Sequence, residues 1–225
     1  MNTRINYRQK ANEVSIPVKR NSRISATLSM VEHALGTVMI AYGSGSGRFS
    51  SRHRYLAEEL NNAGMSTLMV DLLTSDEQQT DLTTGEFRFN IELLTERITE
   101  TTRWVCEGDI SGAMKIGYFG DNSAAAAALS AAANPSARLK TVVCCSGRCD
   151  LAEHSIPKIK VPVLFIVGQY DYFIKNITEN TVEKMTCENK VEIIEGATHR
   201  FEEPGANEEV AEAASKWFAK IMTRD

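Results

Sequence analysis

The chain has 225 residues with 43% hydrophobic and 24% charged residues, enough apolar material for a sizeable core and an ordinary charged surface. Its net charge is −4, and no Lys/Arg block rises above background, so a nucleic-acid partner is not expected. No apolar run reaches membrane-span length, residues 1–20 lack the apolar core of a signal peptide, and the five cysteines have no metal-ligand spacing. The expectation is therefore a cytoplasmic protein with reduced thiols, no membrane partner and no metal.

In chain order, Val14–Val18 and Ile24–Met30 read as extended segments of an opening hairpin within residues 1–30. Thr37–Tyr42 is a short β-rich run that ends in the loop Gly43-Ser44-Gly45-Ser46-Gly47. Ser51–Ala63 has helical spacing stopped by Gly64, and Ser66–Leu72 is the next strand. Thr74–Glu86 is polar and reads as a long, turn-rich connection, and Phe87–Val105 as a long helix. Lys115–Phe119 is a strand leading through Gly120 into the alanine-rich helix Ser123–Ala133. Strands follow at Leu139–Cys145, Pro162–Val167 and Val191–Ile194, with helices at Ile174–Met185 and Glu208–Ile221. This alternation predicts one α/β domain over residues 1–225: a mostly parallel sheet with helices on both faces.

In such sheets ligands bind beyond the carboxyl ends of the strands. Four predicted loops there carry chemistry: 43–47, 120–123, 169–173 and 196–201. The loop at 43–47 lacks the Lys-Ser/Thr ending of a phosphate-binding P-loop and reads better as an oxyanion loop, and no cofactor is expected. Gly120-Asp121-Asn122-Ser123-Ala124 has the place and shape of a G-x-S-x-G nucleophile elbow, with Asn122 at the centre and alanine for the second glycine. Asp171 and His199 follow in the order acid then base, each just after a strand.

With these motifs the chain resembles dienelactone-hydrolase-like members of the α/β-hydrolase superfamily from about Gly36 to Phe218. The resemblance rests on G-S-G-S at 43–46, R-x-R-Y-x-A at 52–57, V-D-L-L-T at 70–74, the elbow, G-R-x-D-L at 147–151 and T-H-x-F-E-E-P-G at 198–205. It implies the α/β-hydrolase fold, Asp171 orienting His199 as general base, and an oxyanion hole from the backbone N–H groups of Ser123 and Ser44. Family members usually carry serine at 122, glycine at 124 and histidine at 42; here those positions hold Asn122, Ala124 and Tyr42. Asparagine tolerates the positive φ of an elbow but offers no hydroxyl for His199 to deprotonate.

Other side chains have competing readings. Ser123 lies one residue late for a displaced nucleophile, and a helix N-cap by Ser or Asn is the better reading there; Asp121 lies one residue early for a dehalogenase-like aspartate nucleophile and reads as a solvated or capping acid. Glu202 and Glu203 read as the start of the turn into the last helix. Arg48, Arg52, Arg54 and Arg148 suit either an anionic ligand or surface ion pairs. Cys144 and Cys145 read as buried strand residues. Three functions follow: an enzyme acting on a small ester, lactone or related carbonyl compound through an Asp171–His199 dyad, with Asn122, Ser44, Ser123 and Tyr42 around the substrate; a catalytically inactive binder of a small ligand or protein partner; or a hydrolase with an unorthodox nucleophile, including Asn122 deamidated to aspartate.

Overall fold

The computed structural model describes residues 11–19, 21–43, 47–108 and 115–224. Eight strands form one sheet in the order β1-β2-β4-β3-β5-β6-β7-β8. The hairpin β1 (Asn12–Val18) and β2 (Ser22–Ser29) is antiparallel, and β2 adds antiparallel to β4 (Ser66–Asp71). From β4 onward the pairing is parallel through β3 (Thr37–Tyr42), β5 (Ile116–Asp121), β6 (Leu139–Cys145), β7 (Val163–Gly168) and β8 (Asn189–Ile194).

Burial follows that order. Every residue of β3, β4, β5 and β7 is buried, as central strands covered on both faces must be, whereas β1 and β8 at the edges are partly exposed. Alternate strand residues serve two cores. Val38, Ile40, Phe119, Val143 and Ile166 pack with α1 (Ser51–Asn62) and α6 (Ala206–Met222). Met39, Ala41, Tyr118, Val142 and Phe165 pack with α3 (Ile91–Glu107), α4 (Ser123–Ala132) and α5 (Tyr172–Val182). Ala124–Ala128 are all fully buried, so α4 lies close against the sheet because its side chains are methyl groups.

One expectation fails. Residues 75–84, read as part of a turn-rich connection, form α2 (Ser75–Thr84). Thr74 Oγ1 accepts from Glu77 N at 3.2 Å while Glu77 Oε2 accepts from Thr74 N at 2.8 Å. This capping box satisfies two otherwise orphaned donors, and Gly85 ends the helix in the left-handed region with φ 67°. Asp81 of α2 then takes the N–H groups of Phe87 and Arg88, both at 2.8 Å, and Arg88 Nε at 2.9 Å. A helix without an apolar stripe thereby anchors the segment leading to α3. Among the described residues no helix is long and apolar enough to cross a membrane.

Candidate active site

A tight turn joins β5 to α4. Asn122 stands there with φ 56° and ψ −121°, exposed between the buried Asp121 and Ser123. The turn is tight because Gly120 has no side chain: a Cβ there would lie 2.6 Å from both Ala124 O and Ala125 Cα. The Asn122 backbone is held as well, its N–H donating to Cys145 O and its carbonyl accepting from Ala125 N and Arg148 N, each at 3.2 Å.

Asp171 follows β7 and caps α5, its Oδ1 accepting from Ile174 N at 3.3 Å. His199 is carried by the loop after β8. That loop presses on the end of β7, where a Cβ at Gly168 would meet Thr198 O at 2.5 Å. Glu203 Oε1 accepts from Thr198 N and Oγ1 at 3.1 and 2.6 Å, so Glu203 braces the loop as well as preceding α6. The result is a line of three side chains. His199 Nδ1 lies 2.6 Å from Asp171 Oδ2, and His199 Nε2 lies 3.2 Å from Asn122 Oδ1. Asp171 is 8% exposed and the His199 side chain 40%, so the acid is shielded while the imidazole opens to solvent.

Asn122 and His199 face a cleft of about 1010 Å³ whose walls include Tyr42, Gly43, Arg54, Arg88, Phe89 and Glu58, together with Ser123 and Asp121. Charges of both signs line it, so it has no strong bias toward one ligand charge. Among the described residues no cluster of His, Cys, Asp and Glu could hold a metal ion.

The remaining expected site residues are distributed unevenly. Ser123 is buried, and its hydroxyl fills the space beside Gly43, where a Cβ would lie 2.1 Å from Ser123 Oγ; among the described residues His199 bonds to Asp171 and Asn122, not to Ser123. Tyr42 lines the cleft wall, but its ring stacks on His53 with centroids 4.1 Å apart and its hydroxyl is buried without a hydrogen-bond partner among the described residues. Burial, with the charges of Asp71 and Asp121, raises that phenol well above its ordinary range. Ser44 lies outside the described residues. Cys144 and Cys145 are buried in β6, and burial pushes both thiols up, away from the thiolate form a nucleophile needs.

Asp121 is corrected outright: it is not a solvated acid but a buried one, ion-paired to Arg52 and 3.2 Å from His53 Nε2. Burial raises its carboxyl, but the His53 hydrogen bond and the Arg52 charge outweigh that and leave it below the ordinary carboxylate value. Arg48 is likewise bound to Asp71 and Glu13, and Arg148 to Asp150. No local sequence pattern announces the Arg52–His53–Asp121 cluster, because Asp121 at the end of β5 meets the first turn of α1 only in the folded chain.

The comparisons with known proteins agree with this frame. A dienelactone hydrolase from Anabaena variabilis superposes with a TM-score of 0.91 at 40% identity, over 95% of this chain and 98% of that one. Est1E from Butyrivibrio proteoclasticus superposes at 0.79 with 15% identity, over 94% and 99%, a likeness of fold. A Mycobacterium tuberculosis protein named a putative phosphoribosyl transferase is 38% identical over 195 residues, which is 87% of this chain and 43% of that protein, so the chain spans less than half the length of that curated relative. The model of the Dienelactone hydrolase family matches residues 26–223, and the chain belongs to that family.

Proposed function

We propose that this protein acts on a small ester, lactone or related carbonyl compound through the Asp171–His199 dyad, with Asn122 standing where related hydrolases carry a nucleophilic serine. The observation that supports it most is the unbroken line Asp171–His199–Asn122 opening onto the cleft. Asp171 fixes the proton of the neutral ring on Nδ1 and leaves Nε2 as the base. Without a hydroxyl at 122, Nε2 takes a proton from water, and the hydroxide adds to the carbonyl carbon. The tetrahedral oxyanion then collapses, and the departing alkoxide takes the proton back from His199. The Ser123 N–H serves as an oxyanion donor because the opening N–H groups of a helix lack intrahelical partners, and the family resemblance implies Ser44 as the second donor. The Asn122 amide can serve both states of the base: Oδ1 accepts from the imidazolium, and a 180° rotation presents Nδ2–H to the neutral ring. Tyr42 acts as a wall of the cleft, its hydroxyl being buried.

The second reading is a small-ligand binder without turnover, favoured by the lack of a hydroxyl at 122. The name of the mycobacterial relative does not favour a third, since more than half of that protein lies outside the matched region. Hydrolysis of p-nitrophenyl acetate and butyrate by wild type, Asn122→Ser and His199→Ala decides. The dyad reading expects slow turnover by wild type that falls about 10²–10⁴-fold in His199→Ala. Turnover by Asn122→Ser alone overturns the hydrolytic dyad reading and favours the binder.

A further inference from the structure

Beneath the dyad, Arg52 bridges two of the loops that must be in register. One arm of its guanidinium, Nη2, pairs with Asp121, the residue immediately before Asn122. The other, Nη1, donates to the carbonyl of Arg200, the residue immediately after His199, at 2.9 Å. The same cluster reaches toward a third loop, since His53 meets Asp121 through Nε2 and lies 3.4 Å from Gly47 O through Nδ1. The side chains of Asp121 and His53 are 9% and 2% exposed, while that of Arg52 is 27% exposed at the cleft edge.

We propose that Arg52 is a positioning residue: gripping Asp121 on one side and the Arg200 carbonyl on the other, it sets the distance between Asn122 and His199. This rests on the dyad reading given above. The chemistry favours arginine for the task. A planar guanidinium serves two acceptors in fixed directions, whereas an ammonium is a point charge on a flexible stem that satisfies Asp121 and leaves the Arg200 carbonyl free. A displacement of about 1 Å between reacting groups costs on the order of 10²-fold in rate. A tether one residue from each partner is therefore well placed to govern turnover without touching substrate.

A structural ion pair and a positioning device differ in one respect. Replacing a buried ion pair by apolar side chains of similar size commonly restores stability, but it cannot restore the bond to the Arg200 carbonyl. The test compares Arg52→Lys with the double substitution Arg52→Met/Asp121→Leu, each in the full chain and again in an Asn122→Ser background. Readouts are Tm, kcat and KM on p-nitrophenyl acetate, and the crystallographic distance from His199 Nε2 to Asn122 Oδ1 in the double variant. The expected result is a double variant that folds, with a Tm lowered by the now unpaired His53 ring, kcat lowered about 10²-fold, KM changed less than about threefold, and a His199–Asn122 separation beyond hydrogen-bonding range. Arg52→Lys is expected to lose about tenfold in kcat, as a partial tether would. A double variant that keeps wild-type kcat, or keeps the 3.2 Å separation, overturns the proposal. If the double variant does not fold, an Arg52→Lys chain with unchanged kcat overturns it. If neither background turns over, the dyad reading fails separately, and the distance alone decides the role of Arg52.

Discussion

Two aspartate–histidine pairs stand beside the same cleft, and their chemistry differs although their side chains do not. In the first, Asp171 meets His199 at 2.6 Å, and the second ring nitrogen faces the cleft beside Asn122. In the second, Asp121 meets His53 at 3.2 Å, but both partners are buried, Arg52 takes the same carboxylate oxygen, and Tyr42 covers the imidazole. A carboxylate beside a histidine is thus no mark of a base. What the proposed base adds is a second ring nitrogen exposed to a space that admits substrate, on a loop that other contacts hold still. In the buried pair those features are traded for packing and a third charged partner.

Exchanging the roles by mutation breaks the comparison most sharply. His199→Ala is expected to remove about 10²–10⁴-fold of turnover while changing stability by less than about 1 kcal/mol, since its side chain is 40% exposed. His53→Ala should do the reverse on the stability side. Its ring is 2% exposed and packed on Tyr42, so its loss opens a cavity and strips a buried hydrogen bond from Asp121, costing about 2–4 kcal/mol in denaturant unfolding. Equal stability losses in the two variants would dissolve the distinction.

A smaller effect concerns the Asp121 carboxylate and pH. The Asp121 carboxyl is lower in the folded chain than in the unfolded one, so it stabilises the fold above the ordinary aspartate range near pH 4, and that contribution is lost as pH falls below it. Unfolding measured from pH 6 to pH 2.5 should show a shallower acid limb in Asp121→Asn than in wild type; superimposable limbs would count against the buried pairing. The smallest effect is chemical. Cys144 and Cys145 should resist iodoacetamide at neutral pH in the folded chain and react on unfolding, as peptide mapping by mass would show, because burial holds both thiols protonated and out of reach.

How far these contrasts were legible beforehand depends on where the information lies. The central strands and most helices can be read from apolar runs and their punctuation, because covering both faces of a strand demands unbroken hydrophobicity. The helix α2 escapes a reading by apolar periodicity, yet its capping pair Thr74 and Glu77 and its terminal Gly85 are local signals that mark it. Asp171, His199 and Asn122 can be singled out because each follows a strand at the carboxyl edge, and loop order along the chain survives folding. Asp121 reads as solvated because acids usually are, and nothing adjacent to it reveals Arg52, which lies 69 positions away.

The amino-acid sequence by itself determined the order of strands and helices, the glycine that permits the turn at 120, and the absence of a hydroxyl at 122, since these depend on local sterics and on residue identity. Tertiary structure alone decided that His53 and Asp121 are buried together, and that one guanidinium spans the loops carrying Asn122 and His199. Those properties come from pairing and docking of distant segments, where burial and the third neighbour of a charged group set its chemistry.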